Sequence, residues 1–301
     1  MSFSGDAKAE ICRQKIERTC CAIAECCGIL MYCNTFTAEK IRISTMNSDF
    51  INRLPKLFRK AFDIEFDCIP AEKTQGRKNL MITQPEKIRK ICNSFGFEMQ
   101  ETIALHVNFA LLEEECCKVS YIRGAFLAGG SVTNPEKGYH LELSTSHKSA
   151  ARETCSILQE MSFQPGESSR AGNTLLYFKQ SDHIADFLTT IGAPLTAMGV
   201  MTAKVDKEMR NTVTRQINCD SANADKTVAA AQEQISAIRR FSARYGLDAL
   251  PEDLKAAALL RITNPESSLA DLAKLSMPPV SKSCLSHRLK KIISMIPEED
   301  E

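Results

Sequence analysis

The sequence predicts an α+β protein: a pseudo-twofold duplicated domain, each copy running αββαββα, followed by an all-α helix-turn-helix domain. Three observations predict it. Sliding the chain against itself by 96 residues places Glu17, Cys20, Cys21 and Gly28 on Glu113, Cys116, Cys117 and Gly124. The same shift places Gly76, Leu80, Gln84, Ile88 and Gly96 on Gly172, Leu176, Gln180, Ile184 and Gly192, where average composition predicts roughly one identity in a block of that length. Within each copy the apolar spacing switches between the helical period and the two-residue period of strands. Beyond Leu250, short helical patterns separated by turn residues follow one another, as in a small helical bundle.

The copies cover about residues 10–96 and 106–192. In the first, Ile23, Cys26, Cys27, Leu30 and Met31 form the apolar stripe of a helix ending near Cys33. Residues 40–45 alternate as a strand, and residues 49–62 have helical periodicity in which Pro55 marks either a first helical position or a kink. Residues 64–69 and 79–83 alternate again, and Pro85-Glu86 opens a helix to Ser94. Between the two matching blocks the shift becomes 100, aligning residues 41–45 with 141–145 and putting the extra residues in a longer turn at 132–138, where insertions are tolerated. Copy two repeats the strands near residues 139–144 and 174–179, with Ser181 as the cap of a helix ending around Gly192. Ala24 and Gly28, like Gly124 and Ala128, lie four apart. Such spacing suits either tight local packing or two helices in backbone contact, and the repeat favours a central helix pair.

The chain has 301 residues, 38 basic and 37 acidic, ordinary globular composition that excludes disordered, collagenous and low-complexity classes. Near neutrality means that any nucleic-acid affinity must come from a local patch. The first ten residues lack a basic n-region and an apolar h-region, and no run of 18 apolar residues occurs, so a cytoplasmic protein without a membrane partner is expected. Its 13 cysteines are then free thiols. The pairs Cys20-Cys21, Cys26-Cys27 and Cys116-Cys117 form no CxxC knuckle and have no histidine at ligand spacing, which favours core packing over metal. There is no Walker A loop and no HExxH motif, and neither Cys92 nor Cys155 has a sequence-evident base. No cofactor, metal or enzymatic activity is expected.

The last third carries the basic signal. Lys204, Lys207, Arg210 and Arg215 punctuate a polar helical stretch, and Ala230, Ile235, Ile238, Phe241 and Tyr245 allow one long helix over about residues 221–244. Residues 201–245 therefore read as a helical linker, whose Asn211, Arg215 and Asn218 suit either solvent or phosphate contacts. Residues 246–301 read as the helix-turn-helix domain. Pro251 opens a helix to about Ile262, Asn264-Pro265 breaks it, Ser268 caps a short second helix, and Ser281 caps the last one beyond Pro278-Pro279. On that last helix Leu285, Leu289 and Ile292 face the bundle, while Lys282, Ser283, Ser286, His287, Arg288, Lys290 and Lys291 supply the outward residues. Residues 272–297 hold five basic side chains and no acidic one. Neutralising about five phosphates would give a slope of log K against log salt near −4.5. Arg288 is the expected guanine reader, and Lys290 and Lys291 the expected phosphate contacts.

Residues 121–132, Tyr-Ile-Arg-Gly-Ala-Phe-Leu-Ala-Gly-Gly-Ser-Val, resemble a degenerate LAGLIDADG motif, the central helix of homing endonucleases. The stretch from Cys116 to Val132 resembles the WhiA family more specifically. So do residues 218–228, 264–269, 278–283 and 287–291, although Ser286 stands where the family is expected to carry asparagine. The resemblance implies a duplicated LAGLIDADG-like domain joined to a sigma-region-4-like helix-turn-helix. It further implies a non-catalytic transcription regulator of cell division, chromosome segregation and, where the host sporulates, sporulation, with double-stranded promoter DNA, a sigma factor and a partner regulator as its partners and the nucleoid as its place. A nuclease of this fold sets an acidic residue at the foot of each central helix to hold Mg²⁺. Matching the motif puts those positions at Cys33 and Gly129, neither a ligand for a hard cation; Glu136 and Glu142 are the nearest alternatives. On the sheet face Lys40, Arg42 and Ser44 are expected outward in copy one, and His140, Glu142 and Ser144 in copy two. Only half of that saddle is basic, so the first domain is open to a DNA or a protein partner, and a pure protein-interaction adaptor is the competing function.

Overall fold

The computed structural model describes residues 2–70, 76–97 and 105–295. The chain divides into two units, Met1–Lys207 and Glu208–Glu301. The first copy in unit one contains α2 (Thr19–Tyr32), β1 (Thr35–Phe36), β2 (Ile41–Thr45), α3 (Ser48–Phe62), β3 (Lys78–Ile82) and α4 (Pro85–Phe95), preceded by α1 (Phe3–Cys12). The second contains α5 (Glu115–Gly129), β4 (Gly130–Val132), β5 (Leu141–Thr145), α6 (Lys148–Glu160), β6 (Gly166–Arg170), β7 (Asn173–Phe178) and α7 (Ser181–Ile191). Then come α8 (Pro194–Tyr245), which crosses the unit boundary, α9 (Glu252–Thr263), α10 (Leu269–Leu275) and α11 (Lys282–Ser294).

The duplicated glycines explain the centre of unit one. Helices α2 and α5 pass in backbone contact: a Cβ on Gly28 would fall 2.0 Å from the Tyr121 carbonyl oxygen, and one on Gly124 would fall 2.0 Å from that of Glu25. Glu25 and Tyr121 are themselves equivalent under the 96-residue shift, so the approach is the same seen from either helix. Apart from the partner helix, α2 is surrounded by core, with Ala22, Ala24 and residues 25–32 all buried. Glu25 is held there by Arg53, whose Nε and Nη2 donate to its two oxygens at 2.6 and 2.8 Å. A carboxylate taken out of water needs such a bidentate partner.

Each copy contributes an antiparallel sheet, ordered β1-β2-β3 and β4-β5-β7-β6. Ile41 and Ile43 point into the core from β2, and Leu141 and Leu143 do so from β5, leaving Arg42 and Glu142 on the opposite face by the two-residue alternation of strands. The repeated Gly96 and Gly192 end α4 and α7 in the left-handed conformation, with φ of 75° and 98°, which glycine adopts without strain. Pro85 occupies the first turn of α4.

Several expectations need correction. Residues 64–69 form no full strand: Asp67 and Cys68 both donate their backbone N–H to the Met81 carbonyl, at 2.9 and 3.2 Å, and only the Cys68–Met81 bridge is made. Two donors on one acceptor is bulge geometry, which ends the ladder. Pro55 lies inside α3, whose cap is Asn47 accepting from Phe50 N at 2.9 Å. Ser181 is the first helical residue of α7 rather than its cap, which is Gln180, the counterpart of Gln84 on α4. The long helix begins at Pro194, well before residue 221.

Helix α1 was not expected. It is anchored by Glu10, whose carboxylate accepts from Leu195 N at 2.7 Å and from Thr196 N and Oγ1 at 2.9 and 2.7 Å, satisfying the free N–H groups at the start of α8.

Unit two has its own core, in which Ile238 and Phe241 of α8 pack with Leu250, Leu254, Leu272, Leu285, Leu289 and Ile292. The expected caps are present: Ser268 Oγ accepts from Asp271 N, and Ser281 Oγ from Cys284 N. Pro251 is the cap of α9, and Asn264 ends it. Residues 296–301 of the expected last domain lie outside the described residues.

Candidate nucleic-acid interface

The tri-helical end of unit two presents α11 as its outer helix. Leu285, Leu289 and Ile292 are buried, which fixes the rotation of the helix and turns Lys282, Ser283, His287, Lys290 and Lys291 out as exposed side chains, with Ser286 half-exposed between them. Arg288 departs from this pattern. It lies three residues after Leu285, on the flank of the buried stripe, and its Nε is 3.7 Å from Asp253 Oδ2 of α9. Its guanidinium is therefore shared with an acidic neighbour in its own bundle instead of standing fully outward. Lys274 likewise faces Asp271, at 3.6 Å.

Arg261 was missed by sequence reasoning. It is 1% exposed, its Nη1 donates to the Ser267 carbonyl at 2.7 Å, and its Nε has no partner among the described residues. It lines a cleft of about 390 Å³ with Asn223, Lys226, Ser268 and Lys282. A buried guanidinium with a vacant donor is costly, and a cleft bearing two lysines beside it is a place for an anion. The signal was legible: Leu254, Ala257, Ala258 and Arg261 follow i, i+3, i+4, i+7, so a cation sits on the apolar stripe of α9. Arg215 and Asn218 are exposed further upstream on α8.

In unit one, the foot of the central helices has lost its hard ligands. Cys33 caps α2, donates its thiol to the Leu30 and Thr35 carbonyls at 3.3 Å each, and is pushed up to about 12 by burial. Gly129 ends α5 where a Cβ would lie 2.4 Å from the Ser144 carbonyl oxygen and 2.8 Å from the Tyr32 ring, so no carboxylate can stand there. Lys8 enters the same end of the helices, 5.7 Å from the Phe126 ring centroid and lining a cleft with Ser44, Arg77 and Ala128. Burial lowers it to about 8, which still leaves mostly ammonium at pH 7. Glu142 is engaged with His140 and Ser131, at 3.1 and 3.2 Å. Arg42 is exposed on β2.

The cysteine reading holds only in part. Cys26 and Cys27 are core residues. Cys117 is likewise a core residue, with Cys21 and Cys116 half-buried against the core and Cys20 exposed, but these four also converge, their Sγ atoms lying within 4.8 Å of one another. Burial pushes the Cys21 and Cys117 thiols up, whereas hydrogen bonding from Cys21, then from Cys117 and Arg18, draws Cys116 down.

These features define a class: a duplicated LAGLIDADG-like scaffold with a degenerate motif, carried on the same chain as a helix-turn-helix. The model described as the WhiA LAGLIDADG-like domain matches residues 118–210, and that described as the WhiA C-terminal HTH domain matches residues 213–296. The chain belongs to the WhiA family. The probable cell division protein WhiA of Ruminiclostridium cellulolyticum is 34% identical over 300 residues, covering 97% of this chain and 96% of its own. That of Alkaliphilus metalliredigens is 32% identical over 305 residues with the same coverage. The crystal structure of full-length DUF199/WhiA from T. maritima superposes with a TM-score of 0.62 at 26% identity, covering 98% of both chains. Among the described residues, no helix is long and apolar enough to cross a membrane.

Proposed function

We propose that this chain is a non-catalytic, DNA-binding transcription regulator of cell division and chromosome segregation, and of sporulation where its host sporulates. The observation that carries the proposal is the outer surface of α11, where Lys282, Ser283, His287, Lys290 and Lys291 stand exposed in a stretch without an acidic residue. The curated relatives' name, probable cell division protein, supplies the process. The first turns of a recognition helix reach base edges and its far end meets the backbone. Lys282, Ser283, Ser286 and His287 therefore read the major groove of promoter DNA, and Lys290 and Lys291 hold phosphates. Arg261 and Lys226 offer their cleft to a further phosphate, Arg288 holds α11 against α9, and Arg215 and Asn218 extend the backbone contacts along α8. The protein acts in the cytoplasm, at the nucleoid.

The reading is non-catalytic on chemical grounds: phosphoryl transfer in this fold needs carboxylates around Mg²⁺, and a neutral thiol, a sterically closed glycine and a lysine stand at that end of the helices. A second reading, for unit one alone, is a protein-docking platform for a sigma factor or a partner regulator. It is favoured by the sheet faces, since Arg42 in copy one is answered by Glu142 paired with His140 in copy two, a poor surface for a continuous phosphate backbone.

Removing residues 208–301 tests the division of labour. Unit one keeps its own core and is expected to remain folded by circular dichroism while losing measurable affinity for duplex DNA in a mobility-shift assay. Affinity equal to that of the full chain would reject α11 as the DNA-binding element.

A further inference from the structure

Helices α2 and α5 both begin with a cysteine pair in the same place: Cys20 and Cys21 are the second and third helical residues of α2, and Cys116 and Cys117 hold those positions in α5. Adjacent helical residues diverge by about 100°, so one helix alone cannot close four sulfurs around a point. Two helices crossing at Gly28 and Gly124 can. The four Sγ atoms all lie within 4.8 Å of one another.

We infer that Cys20, Cys21, Cys116 and Cys117 form a mononuclear tetrahedral zinc site that staples the first turns of the two central helices across the pseudo-twofold axis.

The spacing selects a single ion. Zinc–thiolate bonds of about 2.3 Å in a tetrahedron require sulfurs about 3.8 Å apart, a small contraction of the cluster. A polynuclear iron–sulfur centre must fit its irons and sulfides between the thiolates and needs a wider cage. Four soft ligands with no carboxylate or water position describe a closed, structural site rather than a catalytic one. The surroundings suit its net negative charge: the four cysteines lie in the first turns of two helices, where the helix dipole favours negative charge, and Arg18 Nη1 lies 3.8 Å from Cys116 Sγ as an outer hydrogen-bond donor. Exposure of Cys20 gives the ion a route in from solvent. Each thiol that ligates zinc releases its proton to solvent, so loading acidifies an unbuffered solution and weakens as pH falls.

The test uses the full chain, purified under reducing conditions without chelator. Elemental analysis is expected to find a single zinc ion per chain. Replacement by Co²⁺ is expected to give the thiolate-to-cobalt charge-transfer band and intense visible absorption of tetrahedral thiolate coordination. Cys20→Ser/Cys21→Ser should abolish both, and Cys219→Ser/Cys284→Ser, outside the cluster, should leave both unchanged. The wild-type result stands even where the first variant misfolds. Three findings would overturn the site: a reduced wild-type chain that takes up no zinc and shows no charge-transfer band with cobalt, iron in place of zinc whether or not acid-labile sulfide accompanies it, or a Cys21–Cys116 or Cys20–Cys117 disulfide in chains alkylated at the moment of lysis.

Discussion

Alanine at Lys282, Lys290 and Lys291 together is expected to weaken duplex-DNA binding on the order of 10²-fold at about 0.15 M salt. The two phosphate contacts of Lys290 and Lys291 contribute about −1.8 to the slope of log K against log salt, at about −0.9 per contact, and the variant should be shallower by at least that amount. The sequence-level count of five cations gives −4.5. The structure ties Arg288 to Asp253 and Lys274 to Asp271, so the cationic contribution from residues 272–297 is expected between the two values. Lys274→Ala is the internal control, because its charge is already shared with Asp271 and its loss should change affinity little. Fluorescence anisotropy at several salt concentrations measures both quantities. An unchanged slope in the triple variant would move the phosphate contacts off α11.

Gly28→Val is expected to be the most destabilising single substitution in unit one. Its Cβ would fall 2.0 Å from the Tyr121 carbonyl oxygen and 2.9 Å from Ala125 N, both backbone atoms that no rotamer change can remove. The helices must separate, opening the core that surrounds them, at a cost of about 3 kcal/mol or more, the upper range for overpacked interiors. For a domain of this size that corresponds to a fall in Tm of roughly 6–12 °C. Gly199→Ala provides the contrast. Its new Cβ would meet Phe3 at an ordinary 3.6 Å, and the loss of a mid-helix glycine should be neutral or stabilising by roughly 0.4–1 kcal/mol. Thermal denaturation of the two variants checks the difference.

Much of the fold was legible because duplication writes the same constraint twice. Gly28 and Gly124 could each be a local packing accident, but their equivalence under one shift required a symmetric crossing, and the crossing is there. Gly96 and Gly192 repeat because both end a helix in the left-handed conformation. The helix-turn-helix was legible because its caps, Ser268 and Ser281, and its buried stripe, Leu285, Leu289 and Ile292, are local signals. What stayed hidden was tertiary. Helix α1 is anchored by Glu10 reaching across to α8, 185 residues away, which no window can detect. Arg288 was assigned from residue type, and its rotation toward Asp253 depends on α9. The four cysteines have no ligand spacing within either segment, because the set is complete only when the two first turns meet. The shift that aligned Cys20-Cys21 with Cys116-Cys117 already contained that meeting, since equivalent residues near a twofold axis are neighbours.

The central claim is that a helix-turn-helix recognises DNA on a chain whose nuclease site has been dismantled. The most direct measurement is titration of a mixed-sequence DNA duplex with the full chain in Mg²⁺, following anisotropy across a range of salt concentrations and then resolving the strands on a denaturing gel. The account predicts binding that weakens steeply with salt and strands that remain intact. Binding insensitive to salt, or metal-dependent strand breaks, would contradict it.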